Sequence, residues 1–189
     1  WKAIGVAGGD LSFFQDFFVK FYQAFIEGDR WLQYLNGVKT TLLVTALALI
    51  LGIVLGVLVA MLRTAHDQQR PGHRNPILAV LNLICKVYVT VIRGTPMMVQ
   101  LLIMGFVIFA SSRNFTMIGT LTLGINSGAY VSEIVRGGLM SVDKGQMEAG
   151  RSLGLNYMTT MRFIVIPQAV KAILPALGNE FIILLKDTS

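Results

Sequence analysis

Residues 42–62, LLVTALALILGIVLGVLVAML, run without a charge and with a single hydroxyl, Thr45. A helix rises ~1.5 Å per residue, so about 20 apolar residues match the hydrocarbon thickness of a bilayer. In lipid every backbone polar group must be bonded within the segment, which leaves a transmembrane helix as the fold of this run. Gly52 and Gly56 form a GxxxG within it. That spacing lets a second helix approach closely, from the same chain or from another copy.

The rest of the chain agrees with one such helix among several. Of 189 residues, 54% are hydrophobic and 14% charged, with a mean hydropathy of +0.65. Soluble domains carry about 25% charged residues, so the composition argues against an ordinary water-soluble enzyme. Disorder is excluded, because disordered chains are polar and poor in aromatic and β-branched residues. The formal charge is 16 − 10 = +6. In so apolar a chain the excess marks loops on the cytoplasmic side of a membrane rather than a nucleic-acid partner. The lone Cys85 cannot form an intrachain disulfide, and no Cys/His cluster suggests a metal or cofactor. Because the chain starts at Trp1 without a Met and stops at Ser189 just after an apolar stretch, it reads as a piece of a longer protein.

Residues 11–26, LSFFQDFFVKFYQAFI, hold six of the eleven Phe. Ser12, Asp16, Gln23 and Glu27 recur at helical spacing and leave one wide aromatic face. Asp16 and Lys20 make a poor bilayer span of it, and a helix lying in the membrane interface fits the pattern. A surface helix packed on other protein has the same pattern. Residues 1–34 are therefore set apart as an external amphipathic aromatic segment from a membrane domain at 35–189. Within that domain, the polar loop 63–76 carries Pro71, Gly72 and Pro76, which break helices. A second apolar region, 77–110, is divided by Arg93-Gly94-Thr95-Pro96. The third, 117–135, is rich in Thr, Ser, Asn and Gly, and the fourth, 163–185, carries Pro167, Lys171, Pro175, Asn179 and Glu180.

Charge bias orients the layout. Loops 63–76 and 136–162 hold three and four Lys/Arg, whereas loop 111–116 holds one. The positive-inside rule places the first two in the cytoplasm. Residues 77–110 then make one crossing and 117–135 the next, with 77–92 largely at the cytoplasmic interface and the crossing beginning near Arg93. The N-terminal segment, with four Lys/Arg of its own, is external. About four membrane helices are expected.

There is no GxxxxGK[ST] to hold ATP phosphates, no HExxH and no GxSxG. His66 and His73 fall in the polar loop and read as solvated. Catalytic residues are therefore not expected. Charges within apolar regions cost about 2.5–3.5 kcal/mol at a helix centre and usually face a bundle interior or a water-filled path. Asn126, Tyr130 and Glu133, at i, i+4 and i+7, share one helix face. Glu133 is near the cytoplasmic end and is read either as part of that path or as the partner of Arg136 one turn on. Glu180 lies deeper beside Asn179, between apolar neighbours, where a pathway or a buried pair is expected.

The loop at 136–162 carries the sharpest pattern. It reads Gly145-Gln146-Met147-Glu148-Ala149-Gly150-Arg151-Ser152-Leu153-Gly154, then nine residues, then Ile164-Val165-Ile166-Pro167. A short helix ended by a left-handed glycine near Gly154 is expected, with Asn156 capping the next helix. A rigid helix–turn–helix of this kind offers a soluble partner a docking knob.

This loop resembles the EAA motif of the permease subunits of ABC importers: EAA, three residues, Gly, nine residues, I-x-LP. Glu148, Ala149, Gly154, Ile164 and Pro167 match, while Gly150 stands for the third Ala and Ile166 for Leu. Gly150 loosens a helical position by roughly 1 kcal/mol relative to alanine. Arg93-Gly94-Thr95-Pro96 with Val99-Gln100, residues 129–138 (AYVSEIVRGG), residues 175–180 (PALGNE) and residues 185–189 (LKDTS) resemble stretches of the subfamily that imports polar amino acids, of histidine, glutamine or arginine type. The likeness runs from about residue 35 to 189.

The resemblance implies an all-α integral membrane protein with the type I ABC importer fold, about five transmembrane helices in the full protein and one of them beyond Ser189. It implies a multi-pass subunit of a prokaryotic inner or plasma membrane. Its partners would be ATP-binding-cassette ATPase subunits that hydrolyse the ATP, a second permease subunit, identical or not, and an extracytoplasmic substrate-binding protein delivering a polar amino acid. Glu148, Ala149, Gly150 and Gly154 would couple to the ATPase. Asn126, Tyr130, Asn179 and Glu180 are the candidate substrate path, placed by intramembrane polarity. A secondary transporter or channel driven by an ion gradient shares those polar residues but gives no reason for the EAA spacing. A membrane adaptor that only docks would leave Asn126 and Glu180 without a task.

Overall fold

The computed structural model describes residues 12–69 and 75–188. Residues 70–74, and with them the expected break at Pro71-Gly72 and the solvated His73, lie outside the described residues. The chain divides into two units, Trp1–Leu42 and Leu43–Ser189. Their boundary falls within a helix, eight residues beyond the division expected at 34/35.

The first unit opens with α1, Phe13–Phe25. Its start is closed by the Ser12 backbone amide donating to Gln15 Oε1 at 3.1 Å. Asp16 and Lys20, which interrupt the aromatic run, form an i,i+4 ion pair at 2.8 Å. None of its residues is buried, and its rings stack on each other, Phe21 on Phe25 with centroids 4.9 Å apart. Gly28, with φ +64°, turns the chain into α2, Arg30–Asp67.

The uncharged run expected at 42–62 lies inside this 38-residue helix. Within the second unit α3, Pro76–Gly94, starts with the Asn75 side chain accepting from the Ile77 amide and proline at its first position. It breaks at Thr95-Pro96, and α4, Met97–Ile103, follows, closed by a π turn at Met104–Ile108. Asn114 caps α5, Phe115–Met140. Two short helices, α6 at Lys144–Ser152 and α7 at Tyr157–Thr160, lead through a second π turn at Met161–Val165 into α8, Ile166–Thr188.

α5, rich in Thr, Ser and Gly, is the hub. It buries Thr122, Ser127 and Ser132 together with four of its glycines and alanines. Small residues make this possible. Gly52 and Gly56 of α2 sit against Ser127 and Val131, where an added Cβ would come within 2.8 and 2.6 Å. Gly124 and Gly128 return the fit against Leu51 and Leu55. The GxxxG therefore serves packing within the chain. On the far side, Gly138 lies against Ile173 of α8, and Leu184 joins Val44, Ala48 and Leu123 in a shared apolar cluster.

These contacts fix directions. α2 follows α5, while α8 runs against it, from Ile173 beside Gly138 to Glu180 beside Ser127. α3 and α4 also run against α5, with Asn82 at the level of His66, Tyr88 bonded to Ile125 and Gln100 bonded to Asn126. Loops 63–76 and 136–162 therefore meet at one end, where Tyr157 donates to Gln68 Oε1 at 2.6 Å. That is the alternation expected of the two basic loops.

Among the described residues, three helices are long and apolar enough to cross a membrane by themselves: Glu27–Asp67, Pro76–Gly94 and Tyr157–Thr188. Two differences from expectation follow. α3 is a continuous 19-residue helix with Cys85 and Val89 buried and Tyr88 bonded to Ile125 of α5, rather than a segment lying largely at the cytoplasmic interface. α5, the fourth expected crossing, does not qualify on composition: it is rich in Thr, Ser and Gly, of which Thr122, Gly124, Ser127, Gly128, Ser132 and Gly138 are buried. It also carries the backbone four residues past Arg136, so the polar loop begins at Ser141.

Candidate functional site

Two places gather the residues singled out by sequence. The first is the end of the bundle where the basic loops meet. Asp143 caps α6 by accepting from the Gly145 amide at 2.6 Å. At the other end the Leu155 amide donates to the Gly150 carbonyl and the Gly154 amide to the Arg151 carbonyl. With Gly154 at φ +85° this is a Schellman motif. Asn156 then caps α7, its Oδ1 accepting from the Thr159 amide at 2.8 Å. The helix–turn–helix expected from the spacing is thus closed by side-chain and backbone bonds at each joint.

Glu148 and Ala149 are exposed on α6. Glu148 also lines a groove of about 610 Å³ with Gln68, Lys144, Met147 and Tyr157. Gly150 is different: it is buried, and a Cβ there would lie 2.5 Å from the Thr160 methyl. Beside the helical cost that the sequence gives to glycine, this contact gives Gly150 a packing role. Its missing side chain lets α6 seat directly on α7.

The second place is a cavity of about 450 Å³ between α3, α4, α5 and α8, lined among others by Arg93, Thr95, Asn126, Tyr130, Glu180 and Asp187. Glu180 is 5% exposed and accepts from Ser127 Oγ at 2.8 Å. The Arg93 guanidinium lies over the Tyr130 ring, 5.0 Å from its centroid. An intramembrane cavity with a guanidinium at one wall and carboxylates at another suits a small dipolar ligand.

Three of the four expected path residues, Asn126, Tyr130 and Glu180, are brought together here. Asn179 is not. It is exposed and absent from the cavity wall, because successive helix residues point about 100° apart and Glu180 takes the inward direction. Glu133, on the same face of α5 but nearer its end, is also absent from the cavity wall. It is ion-paired with Arg63 of α2, and Arg136 pairs instead with Asp67 at 3.4 Å.

Sequence reasoning missed Arg93, Thr95 and Asp187 on the cavity wall, and Gln100 behind it. Arg93-Gly94-Thr95-Pro96 was read as a boundary, yet it forms that wall. The break leaves the last carbonyls of α3 without helical amides. Thr95 Oγ1 donates to the Val91 carbonyl at 2.8 Å. Gln100, 8% exposed, has Nε2 at 2.8 Å from the Ile92 carbonyl, 3.0 Å from that of Thr95 and 2.9 Å from Thr95 Oγ1. Its Oε1 accepts from Asn126 Nδ2 at 3.1 Å. A buried amide next to a Pro-broken segment was the available signal. Among the described residues, no group of three or more His, Cys, Asp or Glu is placed to hold a metal ion.

The chain is 42% identical over 117 residues to the glutamine transport system permease protein GlnP of Escherichia coli (strain K12), covering 58% of this chain and 52% of that protein. It is 35% identical over 176 residues to the putative glutamine transport system permease protein GlnP of Rickettsia typhi, covering 92% of this chain and 73% of the relative. The chain therefore spans about half the length of the Escherichia coli relative. The fold superposes with a TM-score of 0.71 and 39% identity on the crystal structure of an amino acid ABC transporter with histidines, over 95% of this chain and 74% of that one. The helices thus have the type I ABC importer permease arrangement expected from the sequence. Residues 77–189, from the start of α3 to the end of the chain, match the model of one family. The chain belongs to the binding-protein-dependent transport system inner membrane components.

Proposed function

We propose that the chain is part of the permease subunit of an ATP-driven importer of polar amino acids in a prokaryotic inner membrane. The observation that carries this reading is the exposed, doubly capped α6–α7 unit, with Glu148 and Ala149 facing outward at the end where both basic loops meet. ATP-binding-cassette subunits dock on that unit. A substrate-binding protein delivers the amino acid at the opposite end, and a second permease subunit, identical or different, completes the membrane part. The relatives' names, glutamine permeases and a transporter with histidines, support a polar amino acid as substrate.

In this reading closure of the ATPase subunits moves α6 as a lever. Glu148 meets the partner through its charge, Ala149 admits close contact by its small size, Gly150 seats α6 on α7, and Gly154 holds the turn. The push passes through α7 and the π turn into α8, which carries Glu180 and Asp187 to the cavity. Rigid helices switching between two packings then open the cavity to alternate sides. Asn126, Tyr130 and Glu180 are the part of the path that meets substrate. Asn179, on the outer face of α8, remains a candidate only for contact with a neighbouring subunit.

The test is Glu148→Arg in the complete transporter reconstituted in vesicles. ATP hydrolysis persists while uptake of labelled glutamine, histidine or arginine falls at least tenfold. Undiminished coupled uptake in the variant, or uptake by the parent that needs an ion gradient and no ATP, sinks the proposal.

A further inference from the structure

Thr95 and Gln100 together bond the carbonyls freed at the break between α3 and α4, and the chemistry of Gln100 fixes the polarity of a further side chain. The Ile92 and Thr95 carbonyls only accept hydrogen bonds. Gln100 must therefore turn Nε2 toward them, at 2.8 and 3.0 Å. That leaves Oε1 facing α5, and Oε1 also only accepts. Asn126 consequently presents Nδ2 to it, at 3.1 Å, and its remaining oxygen, Oδ1, is the acceptor it has for the cavity it lines. The chain of assignments is forced, because reversing Gln100 would set its oxygen against both carbonyls and its nitrogen against that of Asn126, and reversing Asn126 would set oxygen against oxygen. Gln100 itself does not line that cavity.

We propose that Gln100 is a positioning residue: with Thr95 it closes the α3–α4 break and thereby holds Asn126 with Oδ1 available to receive an N–H of an amino-acid ligand. The inference rests on the reading of the cavity as the substrate path. Arg93, on the same break, supplies the opposite polarity, five donors suited to a carboxylate. The break thus sets both ends of one polar site, Arg93 directly and Asn126 through Gln100. Broken helices at membrane depth are tolerated where they line a cavity, and the freed backbone groups need partners. Thr95 and Gln100 are partners here, and Gln100 links the end of α3, the start of α4 and α5.

The test is equilibrium binding of labelled glutamine, histidine and arginine to the permease assembled with its ATPase subunits, without binding protein. Asn126→Ala weakens the amino acid that binds by about tenfold, the loss of one hydrogen bond to a polar or charged group. Gln100→Met, of similar length but without polar atoms, weakens it by a similar factor. The double variant is no weaker than either single one, since both remove the same contact. A role of Gln100 in packing alone makes the two losses multiply, and that result overturns the proposal. So does Gln100→Met binding as tightly as the parent while Asn126→Ala is impaired, in which case the substrate path stands. A parent that binds none of the three, or an Asn126→Ala that binds normally, overturns both the path and the proposal. If Gln100→Met does not assemble, Gln100→Thr is taken through the same cycle.

Discussion

At the scale of single residues, the positions with the clearest tasks are those where a side chain is missing or locally bonded. Gly154 stands at φ +85° with no atom near the place of a Cβ. Crowding therefore forbids nothing there, and any cost of substitution is backbone strain, about 1–2 kcal/mol for a non-glycine residue in the left-handed region. Gly154→Val concentrates that strain on the Leu155-to-Gly150 and Gly154-to-Arg151 bonds that end α6. Hydrogen exchange of those two amides accelerates at least fivefold while α5 and α8 stay protected. Unchanged exchange at both shows that the turn does not depend on glycine. Gly154 and Asn156 were legible in the sequence because capping is local chemistry, decided within three or four residues. Gly150 was legible only as a departure from a pattern. What its empty space is for depends on Thr160, a full turn into the next helix, and on how the two helices meet.

Pairs between helices lay beyond what spacing reveals. Glu133 has Arg136 at helical distance in its own helix, and the sequence offered that partner. The structure gives it Arg63, seventy residues away, because α2 and α5 run side by side and bring their last turns together. The side chains are 14% and 31% exposed, so the pair is partly screened but each charge would be stranded without the other. Glu133→Leu alone leaves the largely buried Arg63 guanidinium without its carboxylate and destabilises the assembled subunit by a few kcal/mol. Arg63→Met with Glu133→Leu recovers most of that loss, since an apolar pair of similar volume substitutes well for a buried ion pair. Thermal unfolding in detergent measures both. A double variant no better than the single one means that Arg63 and Glu133 act through separate contacts. The same element-level geometry explains the path. Helical spacing placed Asn126 and Tyr130 on a common wall, but whether Asn179 or Glu180 joined them depended on the rotation of α8, which Gly138 and Ile173 set by contact. The wall made by Arg93 and Thr95 was hidden for another reason: a Gly-Thr-Pro break reads as an end of structure until the helices on either side are seen to continue past one another along α5.

For the whole molecule, the uncharged run, the basic loops and the small-residue helices already defined a bundle and its alternation. Hydrophobic length and loop charge are one-dimensional quantities, and a bilayer reads them as such. The loop at 111–116 lies at one end of α5, and α6, with Asp67, Arg136 and the capped turn, at the other. If the positive end is cytoplasmic, a cysteine at Ser112 and one at Gln146 lie on opposite sides of the membrane. Ser112 is half-buried in the loop before α5 and Gln146 is exposed on α6, and Cys85 is buried, so Cys85→Ser gives a silent background. In intact cells a membrane-impermeant maleimide labels Ser112→Cys, whereas Gln146→Cys reacts only after the membrane is opened. Labelling in the reverse order inverts the subunit and places Glu148 outside, where no ATPase could meet it. Equal labelling of both in intact cells removes α5 from the membrane altogether, and with it the cavity walled by Asn126 and Tyr130.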